Sequence, residues 1–353
     1  MKRIIQTLLV VSSLIIVLTA CTSNQSDAKS QVTVENINSE LELRFPVPNY
    51  ISQQAQELLS QPVGEGYPAV SGDTWIEMRK QSVENMSSTI EQLIEIHEVD
   101  VNEITINGVK VYEVLPKDKS LLKVDKVILL THGGAYVSMN EKTSILEGIA
   151  LSGKGNYRVL AVDYRMPPEH PFPAAIEDCV AVYKALLNEY SSEKIAIVGG
   201  SAGGGLAMTT TLSIRDEMLP LPAAVIANTP WSDMNKIGDT YFTNEYVDPA
   251  LITYDGYVES AALLYANGED LMNPLLSPVY ADYSKGFPPT FLSSGTRDLF
   301  LSNTVRLHRA LRKENIEAEL HVFEAMWHSL FMLPVEGTEL VNEMLIFLET
   351  HLS

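Results

Sequence analysis

Apolar positions fall into distinct spacings along the chain, and each spacing predicts a kind of element. From Ile4 to Leu18 eleven of fifteen residues are aliphatic, enough for the apolar stretch of a leader but short of the roughly 20 residues a helix needs to cross a bilayer. Between about Glu35 and His97 apolar residues recur at helical intervals: Ile51, Ala55, Leu58 and Leu59, then Trp75 and Met78, then Val83, Met86, Ile90, Leu93 and Ile94. Pro62, Gly64, Gly66 and Pro68 interrupt them, so the pattern predicts two or three helices and no strand. Asn107-Gly108 separates Glu103–Ile106 from Val109–Leu115. That dipeptide accepts the positive φ angles of a two-residue turn, which predicts a β-hairpin.

Farther on, the apolar residues gather into compact runs of the kind buried on both faces: Lys126–Thr131, Arg158–Val162, Ile195–Val198, Ala223–Ala227, Thr290–Ser293 and Glu319–Phe323. Helical stretches such as Ala174–Glu189, Ala202–Met218 and Thr304–Lys313 lie between them. This alternation predicts an α/β fold with a mainly parallel sheet and helices on both sides. The front helices, about 35–100, and the segment of about 232–273 stand outside the alternation and are expected to fold together as a helical cap.

Composition narrows the possibilities further. With 353 residues, 46% hydrophobic and 20% charged, the chain is neither disordered nor fibrous and is long enough for one large domain or two. Acidic residues outnumber basic ones 45 to 25, for a net charge of -20, with no basic patch to neutralise a phosphate backbone. Nucleic acid is therefore not an expected partner. Two cysteines, Cys21 and Cys179, make no disulfide framework. Lys2 and Arg3 precede the aliphatic run, and Leu18-Thr19-Ala20-Cys21 closes it. The ending resembles the bacterial lipobox, in which the cysteine thiol is diacylated and becomes the new N-terminus. Residues 1–20 are thus expected to be a lipoprotein signal peptide, 21–34 a polar tether and 35–353 the folded domain, exported and held to the cell membrane by the lipids on Cys21 alone. An uncleaved membrane helix with an incidental cysteine is the competing reading.

The chemistry is concentrated at Gly199-Gly200-Ser201-Ala202-Gly203. An apolar run leads into this pentapeptide and a helical run leads out, the setting of a G-x-S-x-G nucleophile elbow. The alternative, a glycine-rich phosphate loop, lacks the G-x-G-x-x-G spacing and a following Lys-Ser/Thr. A serine hydroxyl needs a base, and in this arrangement an acid and then a histidine follow on loops after later strands. Asp298 follows the run Thr290–Ser293 and His328 follows Glu319–Phe323, so Ser201, Asp298 and His328 are the expected catalytic residues. His308, His321 and His351 fall within elements or at the terminus and are expected to pack or face solvent. His132-Gly133-Gly134-Ala135 comes directly after a strand. Its paired glycines can turn the N–H groups of Gly133 and Gly134 to the same point as that of Ala202, forming an oxyanion hole. No second ligand stands at metal spacing from His132, which is expected to brace its loop. Cys179, amid the apolar residues of a helix, reads as a small buried hydrophobe.

Taken with Asp163-Tyr164-Arg165-Met166-Pro167-Pro168-Glu169-His170-Pro171-Phe172-Pro173-Ala174, these motifs resemble the hormone-sensitive-lipase branch of the α/β hydrolases, nearest bacterial acetyl-esterase-like and monoterpene ε-lactone hydrolase-like proteins. The likeness runs from about Trp75 to the C-terminus. It implies a mostly parallel eight-stranded sheet with a helical cap and a serine carboxylesterase that needs no cofactor and no metal, acting on a small ester or lactone. It also assigns Ser201, Asp298 and His328 to the triad and Gly133, Gly134 and Ala202 to the oxyanion hole, and implies that Asp163, Tyr164 and Arg165 brace the His-Gly-Gly loop. Three departures stand out: Gly200 replaces the Asp that many members carry before the nucleophile, which is expected to remove a contact near the serine, and Ala135 replaces a third glycine. Leu299-Phe300-Leu301-Ser302 also replaces the usual continuation after Asp298. An amidase or peptidase using the same triad, and a non-catalytic binding protein on this scaffold, are the other function classes considered. The oligomeric state is not predicted.

Overall fold

A computed structural model describes residues 45–352; the leader, Cys21 and the tether lie outside these described residues. The elements in chain order are α1 (Gln53–Leu59), α2 (Thr74–Ile96), β1 (Val99–Ile106), β2 (Val109–Pro116), β3 (Val127–Thr131), α3 (Leu146–Gly155), β4 (Arg158–Val162), α4 (Ala174–Leu186), β5 (Ile195–Gly200), α5 (Ala202–Asp216), β6 (Ala224–Asn228), α6 (Thr240–Thr243), α7 (Tyr257–Ala266), β7 (Thr290–Gly295), α8 (Leu301–Lys313), β8 (Ala318–Phe323) and α9 (Glu336–His351). The strands form one eight-stranded sheet in the order β1-β2-β4-β3-β5-β6-β7-β8. The hairpin β1–β2 turns through Asn107 and Gly108, both at positive φ. It joins β4 antiparallel, and every pairing from β4 to β8 is parallel.

Alternate residues of the central strands feed two separate cores. Leu129, Ile197, Val225 and Leu292 point to the face covered by α4, α5 and α8. Ile128, Val198, Ile226 and Phe291 point to the face covered by α3 and α9, where Ala55 of α1 and Met86 and Ile90 of α2 also pack. A strand with both faces covered has no polar register to show, which is why these runs are continuously apolar.

The structure corrects the sequence pattern in several places. β8 is an edge strand whose residues are half-buried or exposed, not a run buried on both faces, because it has a neighbour on one side only. β1 begins at Val99, four residues before the predicted start, and α4 and α5 end before Glu189 and Met218. β5 and β7 extend to Gly200 and Gly295, and α8 starts at Leu301. The front segment contributes to the core as well as meeting the segment of about 232–273. Ser52 donates from both its N–H and its hydroxyl to Glu336 at the start of α9, at 2.7 and 2.9 Å. The stretch between α1 and α2 abuts α7: the Tyr257 N–H donates to the Tyr67 carbonyl, the Val70 N–H to the Ser260 hydroxyl, and Trp75 packs on the Tyr257 ring.

Candidate active site

β5 ends at Gly200, and Ser201 turns the chain into α5 with φ 58° and ψ -126°, a conformation that costs free energy in a non-glycine residue. The turn is over-determined by its surroundings. The Ser201 N–H donates to the Asn228 carbonyl at the end of β6, and the Ser201 carbonyl accepts from the N–H groups of Gly205 and Trp231. α5 starts so close to β3 that a Cβ on Gly203 would lie 2.1 Å from the Thr131 carbonyl oxygen. The serine hydroxyl is thereby held at the C-terminal edge of the sheet, and His328 Nε2 lies 2.7 Å from it.

The loops after β7 and β8 bring up the other two groups. Asp298 is fully buried; its Oδ1 faces His328 Nδ1 at 3.0 Å and accepts the Phe300 N–H, while Oδ2 accepts the Ser294 hydroxyl. The two loops are laced together by the Arg297 N–H on the Met326 carbonyl and the Ala325 N–H on the Thr296 hydroxyl. Burial pushes the His328 imidazole down, but the carboxylates of Asp298 and Asp248 and the nearby Glu147 outweigh it, leaving the pKa above its ordinary 6.5. The structure therefore brings Ser201, His328 and Asp298 into one hydrogen-bonded chain, with the imidazole free to take a proton from one side and be stabilised from the other.

Beside the serine, the Gly133–Gly134 loop follows β3. Gly134 has φ 94°, and a Cβ on Gly133 would lie 3.4 Å from Ser201 Cβ, so the loop abuts the nucleophile. Among the described residues, the N–H groups of Gly133, Gly134 and Ala202 donate to no protein acceptor, and Ala202 is the first residue of α5. Amides left open at a helix N-terminus and a tight loop suit a developing oxyanion. His132 lies beneath them, stacked on Tyr164 at 4.0 Å with Nδ1 on the Gly133 carbonyl. Burial pushes its pKa down to about 4, so it is a neutral support. Of the three bracing residues implied by resemblance, only Tyr164 touches this loop, its hydroxyl donating to the His132 carbonyl at 2.8 Å. Asp163 accepts the Glu141 N–H and pairs with Lys110, and Arg165 turns away to Asp178 and Glu177 on α4.

The other histidines and Cys179 lie elsewhere. His308 contacts the Ala318 carbonyl, His321 pairs with Glu319, and His351 lies near Glu317. Cys179 is buried, and burial pushes its thiol up. Trp75, Tyr241 and Tyr254 pack within the core. Tyr246 instead lines a cavity of about 230 Å³ with Phe45, Leu58, Val63 and Arg297.

Two carboxyl groups were missed by sequence reasoning. Asp248 Oδ2 accepts the N–H groups of Leu299 and His328, at 2.9 and 3.3 Å, and Oδ1 accepts those of Ala250 and Leu251. It staples the acid loop to the histidine loop, and burial together with Asp298 pushes its pKa up. In the sequence it stands in Val247-Asp248-Pro249 and reads as a turn. Glu147, on the first turn of α3, reaches the same site from the opposite side. Its carboxyl fills the space beside Gly200, so the contact expected to be missing there is made by another part of the chain.

Comparison with known proteins bears on the fold and on the class of activity. A family profile described as the alpha/beta hydrolase fold matches residues 128–332. An acetyl-hydrolase of Streptomyces hygroscopicus is 32% identical over 229 residues, 64% of this chain and 76% of that protein. An esterase of Acinetobacter venetianus is 26% identical over 239 residues, 66% of this chain and 76% of that protein. Among solved structures, esterase E25 superposes with a TM-score of 0.81 at 35% identity, covering 94% of this chain and 99% of its own. An esterase from the bacterial hormone-sensitive lipase family superposes with a TM-score of 0.71 at 26% identity, covering 99% of both chains. The chain belongs to the α/β-hydrolase family. Within it, the protein is a carboxylic ester hydrolase like those of the hormone-sensitive lipase branch.

Proposed function

We propose that the protein is a serine carboxylesterase that cleaves short- to medium-chain acyl esters or lactones through an acyl-enzyme. The observation that carries this reading is the 2.7 Å approach of His328 Nε2 to Ser201 Oγ with Asp298 3.0 Å behind the imidazole. Ser201 Oγ attacks the ester carbonyl carbon as its proton passes to His328, and the new oxyanion is met by the amides of Gly133, Gly134 and Ala202. Each such donor contributes about 3 kcal/mol to the transition state. The C–O bond to the alcohol breaks as His328 returns the proton to the leaving oxygen. Water, deprotonated by His328, then attacks the acyl-enzyme, releasing the acid and regenerating the Ser201 hydroxyl. In a lactone the leaving hydroxyl stays tethered to the acyl group, and the same steps open the ring.

A fluorophosphonate probe tests this assignment: it labels the wild type and leaves Ser201→Ala unlabelled, whereas equal labelling of both removes Ser201 from the role. The residues of about 35–100 and 232–273 act, in this reading, as a cap shaping the acyl site. Leu18-Thr19-Ala20-Cys21 supports export and a lipid anchor on Cys21. Cys21→Ser is expected to block maturation and release the protein from the membrane fraction, and unchanged processing would contradict the anchor.

A further inference from the structure

Helix α3 delivers to the active site one side chain that the triad does not use. Glu147 is half-buried, with its carboxyl pressed against Gly200 and near Gly133. A Cβ on Gly200 would lie 2.2 Å from Glu147 Oε2 and 2.5 Å from Oε1, and a Cβ on Gly133 would lie 3.9 Å from Oε1. The carboxyl thus stands where the side chain of the residue before Ser201 would stand, in the seam between the elbow and the oxyanion loop. Oε2 is shut off from solvent with no hydrogen-bond partner. The Asn228 side chain and the His328 imidazole are the groups that bear on the carboxyl from across the site, and burial pushes its pKa up to about 7. A leucine or methionine would fill the space without the cost of hiding an unpartnered oxygen.

We propose that Glu147 is a positioning residue for ester hydrolysis: its carboxyl supplies from α3 the side chain that position 200 lacks and sets the spacing between Ser201 and the oxyanion amides. This rests on Ser201 being the nucleophile. It also explains why residue 200 is glycine, since any side chain there collides with Glu147.

The test moves the carboxyl from the helix to the elbow. Gly200→Asp alone forces two carboxyl groups into one space and is expected to lower kcat by about 100-fold, the effect of misplacing reacting groups by about 1 Å. Glu147→Ala empties the space and is expected to lower kcat by about 10- to 50-fold while KM changes less than about threefold, because ground-state binding is untouched. The double variant Glu147→Ala/Gly200→Asp returns one carboxyl to the seam and is expected to be at least about tenfold faster than either single variant, a non-additivity that only contacting sites show. Active-site titration with a fluorophosphonate precedes each assay. Failure of the wild type to label overturns the nucleophile assignment itself. Full labelling with a double variant no faster than Glu147→Ala, or with Glu147→Ala as fast as wild type, overturns the positioning role. Should a variant in this set fail to fold, Glu147→Gln is compared with Glu147→Leu. Positioning requires the glutamine to retain about fivefold more kcat than the leucine, and equal rates reduce Glu147 to packing.

Discussion

In the proposed mechanism His328 is the residue on which proton movement turns, and its surroundings make its titration readable. The imidazole acts as a base only when neutral, so activity rises with pH as it loses its proton. Because the Asp298, Asp248 and Glu147 carboxyl groups hold its pKa above 6.5, the midpoint of the acidic limb of kcat/KM for p-nitrophenyl butyrate is expected above that value. Asp248→Asn removes one of these negative charges while its amide oxygen can still accept the Leu299 and His328 N–H groups, so the midpoint should move to lower pH; an unmoved midpoint would show that Asp248 does not act on the imidazole. Asp298→Asn should lower kcat by roughly 10³- to 10⁴-fold, through loss of the carboxylate that fixes the tautomer and stabilises the cation. At this scale the sequence was readable where order carries information. Ser201, Asp298 and His328 each follow a strand in the sequence the fold requires. Glu147 and Asp248 belong to no local signature. Their meaning comes from packing against Gly200 and against the Leu299 and His328 amides, contacts between parts of the chain about 50 to 80 residues apart.

Among the elements, the central strands were the most legible, because β3, β5, β6 and β7 are covered on both faces and show it as unbroken apolar runs. β8 resembles them in composition, but its place at the sheet edge leaves Val322 exposed. α3 was not identified beforehand. Three glycines in its ten residues weaken its helical signal, and its stability comes from burial of Leu146, Ile149 and Leu151 against the sheet. α9 does carry a helical spacing, Leu340, Val341, Met344, Phe347 and Leu348, but it lies beyond the last strand, where no further alternation draws attention to it. Its start anchors the front of the chain through Glu336 and Ser52. Glu336→Ala is expected to lower stability by about 2 kcal/mol, from the loss of two hydrogen bonds to a charged group, as read from denaturant unfolding. An unchanged midpoint would mean that α1 is held by its apolar contacts alone.

At the scale of the molecule, the sheet places the serine, the acid, the histidine and the Gly133–Gly134 loop at the C-terminal ends of parallel strands. β3 carries the Gly133–Gly134 loop, β5 the serine, β7 the acid and β8 the histidine, while α3 and the segment after β6 contribute Glu147 and Asp248. The net charge of -20 opposes adsorption to anionic lipid. A protein truncated before residue 35 is therefore expected not to sediment with phosphatidylserine vesicles at low salt, and salt-sensitive binding would show that something other than acyl chains can hold it to a membrane. The most direct measurement of the proposed chemistry is mass spectrometry on protein quenched during turnover of p-nitrophenyl butyrate. A butyryl group on the hydroxyl of Ser201, absent from Ser201→Ala, is the expected result; a butyryl group on another residue, or undiminished turnover by Ser201→Ala, would contradict it.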